Sequence, residues 1–271
     1  MTTPSTRGRA GHLRARLSDR DLHVLASLYQ LRLMTSVQLQ RQHVPDGSPH
    51  TRTRRTRAML QRLCELGLVV RLDRSVGGNR SGSTAHVYGL SGLGLAVLDV
   101  QGPYGRRRRR VWETKPYFLQ HVLGVAEVCV GLTELSNRGD AQLLSYHGEP
   151  ACWRRHTGPT RVPAILKPDA YVQLGIGEYE RSAFIELDMG TESLPTISRK
   201  CLDYVAYYNA GVEQRAYGVF PLVLWLLPTE ARLIKVREVI DHLAAEVRHL
   251  FAVALHADGP ALLAAPMEGG A

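Results

Sequence analysis

Charge is segregated along this chain. Residues 1–115 carry 21 Lys+Arg against 7 Asp+Glu, a net of +14, whereas residues 116–271 carry 13 against 18, a net of −5. A strongly basic half joined to an acidic half is hard to reconcile with one uniform core. It points to a polyanion-binding unit followed by a unit of another kind. The length of 271 residues accommodates two small domains. A content of 44% hydrophobic and 22% charged residues is globular, which excludes wholesale disorder, a collagen-like repeat and a coiled-coil rod. Only Lys115, Lys167, Lys200 and Lys235 among the 34 basic residues are lysines. That arginine bias suits phosphate recognition, and GC-rich codon usage produces it equally well.

No apolar run approaches the roughly 20 residues of a bilayer span. The N-terminus is basic without an apolar signal core. The expectation is a cytoplasmic protein without a membrane partner. Cys64, Cys129, Cys152 and Cys201 are too far apart for a CxxC zinc or redox pair, and are expected to be reduced.

Within the basic half, residues 1–17 read as a disordered basic arm. Ser18-Asp19-Arg20-Asp21 is a capping-box pattern with Asp in the third place, and it opens a helix to about Gln30. Thr35-Ser36 starts a short second helix. After the Gly47-Ser48-Pro49 turn, a third helix runs from about His50 to Leu66, with Met59, Leu60, Leu63 and Leu66 as its apolar face and Gly67 as its stop. Its N-terminal half holds Arg52, Arg54, Arg55 and Arg57. Residues 68–72 and 85–90 read as two strands joined by a long turn, a hairpin that carries Arg74 and Arg80. Helix, helix, basic helix, hairpin is the order of a winged helix-turn-helix, here over residues 18–100. Its third helix would enter the major groove of double-stranded DNA and its wing would touch the backbone. Residues 101–116 form an Arg-rich linker, whose Arg106, Arg107, Arg108, Arg109 and Arg110 supply further phosphate contacts or simply a solvated basic run.

From Tyr117 the pattern changes to an amphipathic helix with Phe118, Val122, Val125, Val128 and Leu132 on one face. Strands are expected at 142–146, 166–174 and 183–189, then a helix at 194–210, a strand at 220–227 and a last helix to about 255. Residues 256–271 are expected to be a disordered tail. The chain is therefore α+β, and its second domain, 117–255, is an α/β sandwich. Strand period places Lys167, Asp169 and Tyr171 on one face, and Phe184, Glu186 and Asp188 on one face of the next strand. Acids gathered in that way persist when they hold a divalent cation, and a cation held by two carboxylates supports phosphodiester cleavage.

Pro168-Asp169, followed after about fifteen residues by Glu186-x-Asp188, resembles the PD-(D/E)xK nuclease superfamily, which implies a restriction-endonuclease-like fold for this domain. The resemblance makes Asp169 and Glu186 metal ligands for Mg2+ (or Mn2+), with Asp188 beside them and Glu127 as the acid of the first helix. Asp188 stands where the superfamily usually has its lysine. Lys200 on the following helix, or Lys167 beside Asp169, can replace it. If the site is inert, Lys200 or Arg199 can instead pair with the acids structurally.

The whole chain is similar to the replication-relaxation family of actinobacterial plasmids, conjugative elements and prophages. The stretches that carry this are Ser18–Asp21, Leu60-x-x-Leu63-x-x-Leu66-Gly67-Leu68-Val69, Val87-Tyr88-Gly89-Leu90-Ser91, His121-x-Leu123-x-Val125-Ala126-Glu127, Lys167-Pro168-Asp169-Ala170, Glu186-x-Asp188-x-Gly190-Thr191-Glu192-Ser193, and Arg199-Lys200 with Tyr204 and Tyr207. The resemblance implies a DNA-binding protein of plasmid or mobile-element replication or mobilisation. This family supplies no reaction of its own; the nuclease resemblance would make the protein a metal-dependent DNA nickase with Asp169, Glu186 and Lys200 as catalytic residues, working as a homodimer or with replication or mobilisation proteins. The alternative is a non-catalytic winged-helix regulator whose degenerate second domain mediates dimerisation or partner binding. A two-histidine relaxase motif and a phosphate-binding GxxxxGK[ST] loop are absent from the sequence, and Tyr204, Tyr207 and Tyr208 read as packing residues.

Overall fold

Three side-chain caps set the frame of the N-terminal half. The computed structural model describes residues 6–76, 85–98, 116–158 and 162–266, and the chain divides into two units, Met1–Val130 and Gly131–Ala271. Helix α1 spans Thr6–Arg14 and α2 spans Asp19–Leu31. Ser18 caps α2 in a complete capping box, with Asp21 Oδ2 accepting from the Ser18 N–H at 3.0 Å, so the aspartate does what Glu usually does there. Thr35 closes a second box with Gln38 at the start of α3 (Ser36–His43). Ser48 caps α4 (Pro49–Glu65), with Pro49 in the first turn where no N–H is needed.

The helices bury Val24, Leu25 and Leu28 of α2 and Met59, Leu60 and Leu63 of α4. Beside them lies a small antiparallel sheet in the order β1 (Leu33–Thr35), β3 (Ala85–Leu90), β2 (Val69–Val76), with a register shift between Leu72 and Ser75. The segment β1 is not legible as a strand in the sequence, because three residues are too few to show alternation. Helix α5 is Gly92–Leu98.

The expected disordered arm is corrected. Helix α1 buries Ala10 and Leu13, and Arg14 donates from Nη1 to the Val97 carbonyl at 2.7 Å. Its Gly/Arg-rich composition masks the two apolar positions three residues apart. Helix α6 spans Pro116–Arg138. Its Leu119, Val122 and Leu123 pack with Leu33, Leu72 and Val87, so its first turns belong to the core of the first unit rather than opening the second. The boundary between units falls inside this helix, not in the linker. Phe118–Arg138, at a mean hydropathy of 1.3, is long and apolar enough to cross a membrane, against the expectation that no stretch is. Half of it is buried within the fold, as in a core helix of a globular domain.

The second unit is built on a five-stranded sheet in the order β10-β9-β8-β7-β4. Strands β4 (Gln142–Gly148), β7 (Ala170–Ile176) and β8 (Tyr179–Leu187) form an antiparallel meander, while β9 (Leu222–Leu227) and β10 (Phe251–Leu255) run parallel to β8. The Gly175-Ile-Gly177 stretch opens the β7–β8 hairpin as expected, with Gly177 at φ +59°. A separate hairpin, β5 (Arg154–Thr157) and β6 (Pro163–Leu166), interrupts the meander. Helix α7 (Leu194–Asn209) lays Ile197, Cys201, Tyr204 and Tyr207 against Phe184 and Trp225 of the sheet. Short helix α8 is Val212–Tyr217.

After β9 the chain departs from the expected single helix and disordered tail. It forms α9 (Glu230–Asp241), α10 (Ala245–Arg248), strand β10 and α11 (Gly259–Ala264). The sequence of β10, Phe-Ala-Val-Ala-Leu, has the alanines of a helix, but the open edge of β9 offers a parallel partner and that pairing overrides propensity. Leu263 of α11 is fully buried, and Gly259 sits where a Cβ would come within 2.5 Å of Leu226 Cδ2. All four cysteines are free thiols.

His43, at the end of α3, bonds Ser27 Oγ at 3.1 Å. Burial, then the charges of His23 and Arg20, hold its imidazole down at about 4. The unfolded chain takes up a proton near 6.5 that the folded one refuses until about 4. Stability therefore falls as pH drops across that window, by at most about 3.5 kcal/mol at about 1.4 per pKa unit, less for partial solvent contact. In urea unfolding of the full chain at pH 7 and pH 5, His43→Gln is expected to shrink the loss at pH 5. An equal loss in variant and wild type would show that other groups carry the acid sensitivity.

Candidate functional site

Two groups of residues carry the chemistry, one in each unit. In α4 the buried face of Thr56, Met59, Leu60 and Leu63 leaves Arg54, Arg55 and Arg57 exposed. Arg54 and Arg57, three residues apart, share one side of the helix with His50 and Gln61. Arg52 is partly buried and leans towards the Pro45 carbonyl at 3.4 Å, so it braces the turn before α4. Arg62, one turn further on, is held by Asp21 at 2.5 Å. Of the other expected contacts, Arg74 falls on β2 with its side chain outside the described residues. Arg80 and Arg106 to Arg110 lie outside them entirely.

In the second unit, Pro168 has no N–H to give a ladder, and the strand expected across 166–174 breaks there into β6 and β7. Asp169 sits at the break. Its N–H reaches the Ile185 carbonyl at 3.0 Å, and its Oδ2 accepts from the Leu187 N–H at 2.7 Å, which fixes the carboxylate beside Glu186 on β8. Lys167 does not join it. Lys167 is exposed, with its Nζ 5.0 Å from the centre of the Trp153 ring.

Glu186 is buried, at 2% exposure, on the sheet face covered by α7. Tyr204 donates its hydroxyl to Oε1 at 2.6 Å, and Lys200 donates to Oε2 at 3.0 Å. Both donors come from α7, one turn apart, so that helix alone delivers the cation and the phenol. Lys200 also reaches Glu192 Oε1 at 2.9 Å, and the other Glu192 oxygen is buried without a hydrogen-bond partner.

Burial, and then the nearby Asp169 charge, push the Glu186 carboxyl up to about 7 against the pull of Lys200 and Tyr204. Burial pulls Lys200 down, but Glu186, Glu192 and Asp169 more than offset it, and the ammonium stays charged well above its ordinary range. Burial and Glu186 likewise keep Tyr204 protonated far above the usual phenol range. Glu186 is thus the member of this trio that titrates near neutrality.

Asp188 is spent elsewhere. Arg232 Nε donates to its Oδ2 at 2.5 Å, the Gly190 N–H to its Oδ1 at 2.8 Å, and the side-chain carboxylate is inaccessible. Arg232 also caps the Glu192 carbonyl, tying down the loop that presents Glu192. Glu127, expected as the acid of the first helix, accepts from Gln38 at 2.9 Å and pairs with Arg41, both in the first unit.

Sequence reasoning misses Arg232 and Glu192. Arg232 leaves a signal: a cation in the first turn of α9 opposes the helix dipole, so a specific partner has to hold it there. Tyr204 is a packing residue as expected, at 1% exposure, and it also holds Glu186. Tyr207 is fully buried as well, which leaves neither phenol accessible as a nucleophile.

Among the described residues no three His, Cys, Asp or Glu side chains group as a metal-ligand set. What remains is Asp169, Glu186 and the unpartnered Glu192 oxygen around one ammonium. A Mg2+-like cation would have Asp169 and Glu186 to hold it, but Lys200 and Tyr204 already occupy both Glu186 oxygens, so it would have to displace the ammonium.

Residues 25–223 match the family model described as Replication-relaxation. Neither the curated proteins nor the solved structures give a match.

Proposed function

The chain belongs to the replication-relaxation family, and from that premise we propose that it is a cytoplasmic double-stranded-DNA-binding protein of plasmid or mobile-element replication or mobilisation whose second unit nicks DNA with Mg2+ or Mn2+. The observation that carries the binding half is the exposed Arg54–Arg55–Arg57 cluster on the third helix of a helix–strand–helix–helix–hairpin order, where a winged helix-turn-helix presents its groove-reading residues. Basic charge of +14 over residues 1–115 supplies the non-specific attraction. A homodimer or a replication partner would complete a two-sided DNA site.

The nicking half rests on Lys200 lying 3.0 Å from Glu186 while Asp169 is pinned beside it. A bound cation would supply charge stabilisation and an acidified water. Asp169 and Glu186 would hold that cation, and Lys200, on the same carboxylate, would orient the attacking water by its ammonium. Tyr204 keeps the Glu186 carboxylate in one rotamer. The order α6, β4, β7, β8, α7 and β9, with the β5–β6 hairpin inserted after β4, supports the nuclease-like reading.

A second reading has its own observation: both Glu186 oxygens already have donors and Asp188 is neutralised by Arg232. That is how a buried structural ion-pair network looks in a non-catalytic regulator. Supercoiled plasmid incubated with the protein and Mg2+, Mn2+ or EDTA separates the two. Open-circular product that needs the metal supports the nickase. Retardation of the plasmid without any nicking leaves the regulator.

A further inference from the structure

We propose that the outer face of the β5–β6 hairpin is a contact surface for a single DNA strand, with Trp153 as its stacking platform and Arg155 and Lys167 as its phosphate ligands. Residues 150–168 contain Arg154, Arg155, Arg161 and Lys167 and not one Asp or Glu, inside a half of the chain whose net charge is −5. Such a local reversal of sign is complementary to a polyanion. The hairpin register sorts the residues by face. Arg155 pairs with Ile165 and Thr157 with Pro163, and all four are exposed, whereas Arg154 and His156 on the other face are partly buried. Strand period and register extend the exposed face to Trp153 and Lys167, which face each other across the open end of the hairpin.

Arg154, on the inner face, is committed. It pairs with Glu213 at 2.8 Å and lies 4.5 Å from the Tyr171 ring centre. It anchors the hairpin and leaves Arg155 and Lys167 to solvent. Trp153 is partly exposed and is fixed by its indole N–H on Glu149 at 3.3 Å. Lys167 rests over its ring and can leave for a phosphate, opening the indole face to a base. An aromatic plane flanked by cations is the recurring recipe for a strand bound without sequence preference. A duplex hides its base faces, so the indole selects an unpaired strand.

Asp169 follows Lys167 by two residues, so a strand held here would lie close to the acid site in the chain. In that respect the inference deepens the nicking reading and rests on it, but the binding itself does not require cleavage. Exposed Ile165, opposite Arg155, adds apolar area to the same face.

The test uses the full chain and fluorescence anisotropy with a labelled oligo-dT, in EDTA so that no cutting intervenes, over a series of salt concentrations. Arg155→Glu/Lys167→Glu is expected to weaken oligo-dT binding at least tenfold. The milder Arg155→Gln/Lys167→Gln should lower the slope of log affinity against log salt by about 1.4, at about 0.7 for each phosphate no longer neutralised. Trp153→Phe should keep most of the affinity and Trp153→Leu should lose several-fold. Unchanged oligo-dT affinity in the charge variants, or a loss seen only when Arg54 and Arg57 are removed, would overturn the assignment. Binding that survives in wild type without nicking would leave the strand surface standing while removing the nickase.

Discussion

Asp169→Ala and Glu186→Ala are each expected to reduce nicking of supercoiled plasmid by at least about 100-fold while leaving plasmid binding intact. Both carboxylates are fixed by backbone or helix donors rather than by each other, so removing one leaves the other in place. The loss is then one of cation affinity and charge stabilisation, of the size seen when metal sites lose a ligand or its support. Lys200→Ala is expected to fall by a similar factor, as for a fixed cation that positions the attacking water. It should also free the buried Glu186 from its cation, so that Lys200→Arg restores binding of the acid but little of the rate.

The pH dependence has a fixed sign. The Glu186 carboxyl sits up near 7, and a carboxyl must be ionised to take a cation. Nicking should therefore decline as pH falls below about 7, and higher Mg2+ should shift that decline to lower pH. A rate that is flat from pH 8 to pH 5.5 would show that Glu186 is not a ligand. In the absence of metal the same raised carboxyl acts on stability: between its unfolded value near 4.5 and about 7 the folded state binds the extra proton, so stability falls as pH rises through that window.

The second large effect is on stability. Arg232→Ala is expected to cost about 3–5 kcal/mol in equilibrium unfolding, the penalty for stranding a buried charge. Asp188 is at 1% exposure, and without the guanidinium its carboxylate would rest on the Gly190 N–H. The paired change Asp188→Asn/Arg232→Gln keeps neutral hydrogen bonds across the same gap and should cost markedly less than Arg232→Ala alone. An additive result would mean that the two side chains stabilise the fold independently. If the pair holds the loop before α7 in place, Arg232→Ala should also loosen Glu192, and with it the second partner of Lys200.

Much of this is readable from local chemistry. The Ser18 capping box, the Met59–Leu60–Leu63 stripe of α4 and the Gly-bounded β7–β8 hairpin each announce themselves within a few residues, and each is where the pattern puts it, whereas Ser48, read as part of a turn, caps α4. Glu186 and Asp188 stand out because acids on an otherwise apolar strand need partners. Which partner each takes is not local. Lys200 is fourteen residues from Glu186, and Arg232 is 44 residues from Asp188. Those pairings depend on how α7 and α9 cross the sheet. Glu127 misleads because its helix is continuous, Pro116–Arg138, while its own contacts lie with Gln38 and Arg41. Three of the missed elements share one cause: α1, β10 and α11 are short and hold Ala or Gly, and their form comes from the surface they pack on.

Contact between α4 and DNA is central to every functional role proposed for this chain. The direct measurement is binding of labelled duplex DNA, comparing the wild-type chain with Arg54→Ala/Arg55→Ala/Arg57→Ala across a salt series. These side chains are exposed, so the variant should fold normally. The expected result is a loss of at least 100-fold, from about 1–3 kcal/mol per base-contacting arginine, together with a shallower salt slope. A variant that binds the duplex as tightly as wild type, with the same slope, would contradict a DNA-reading role for α4.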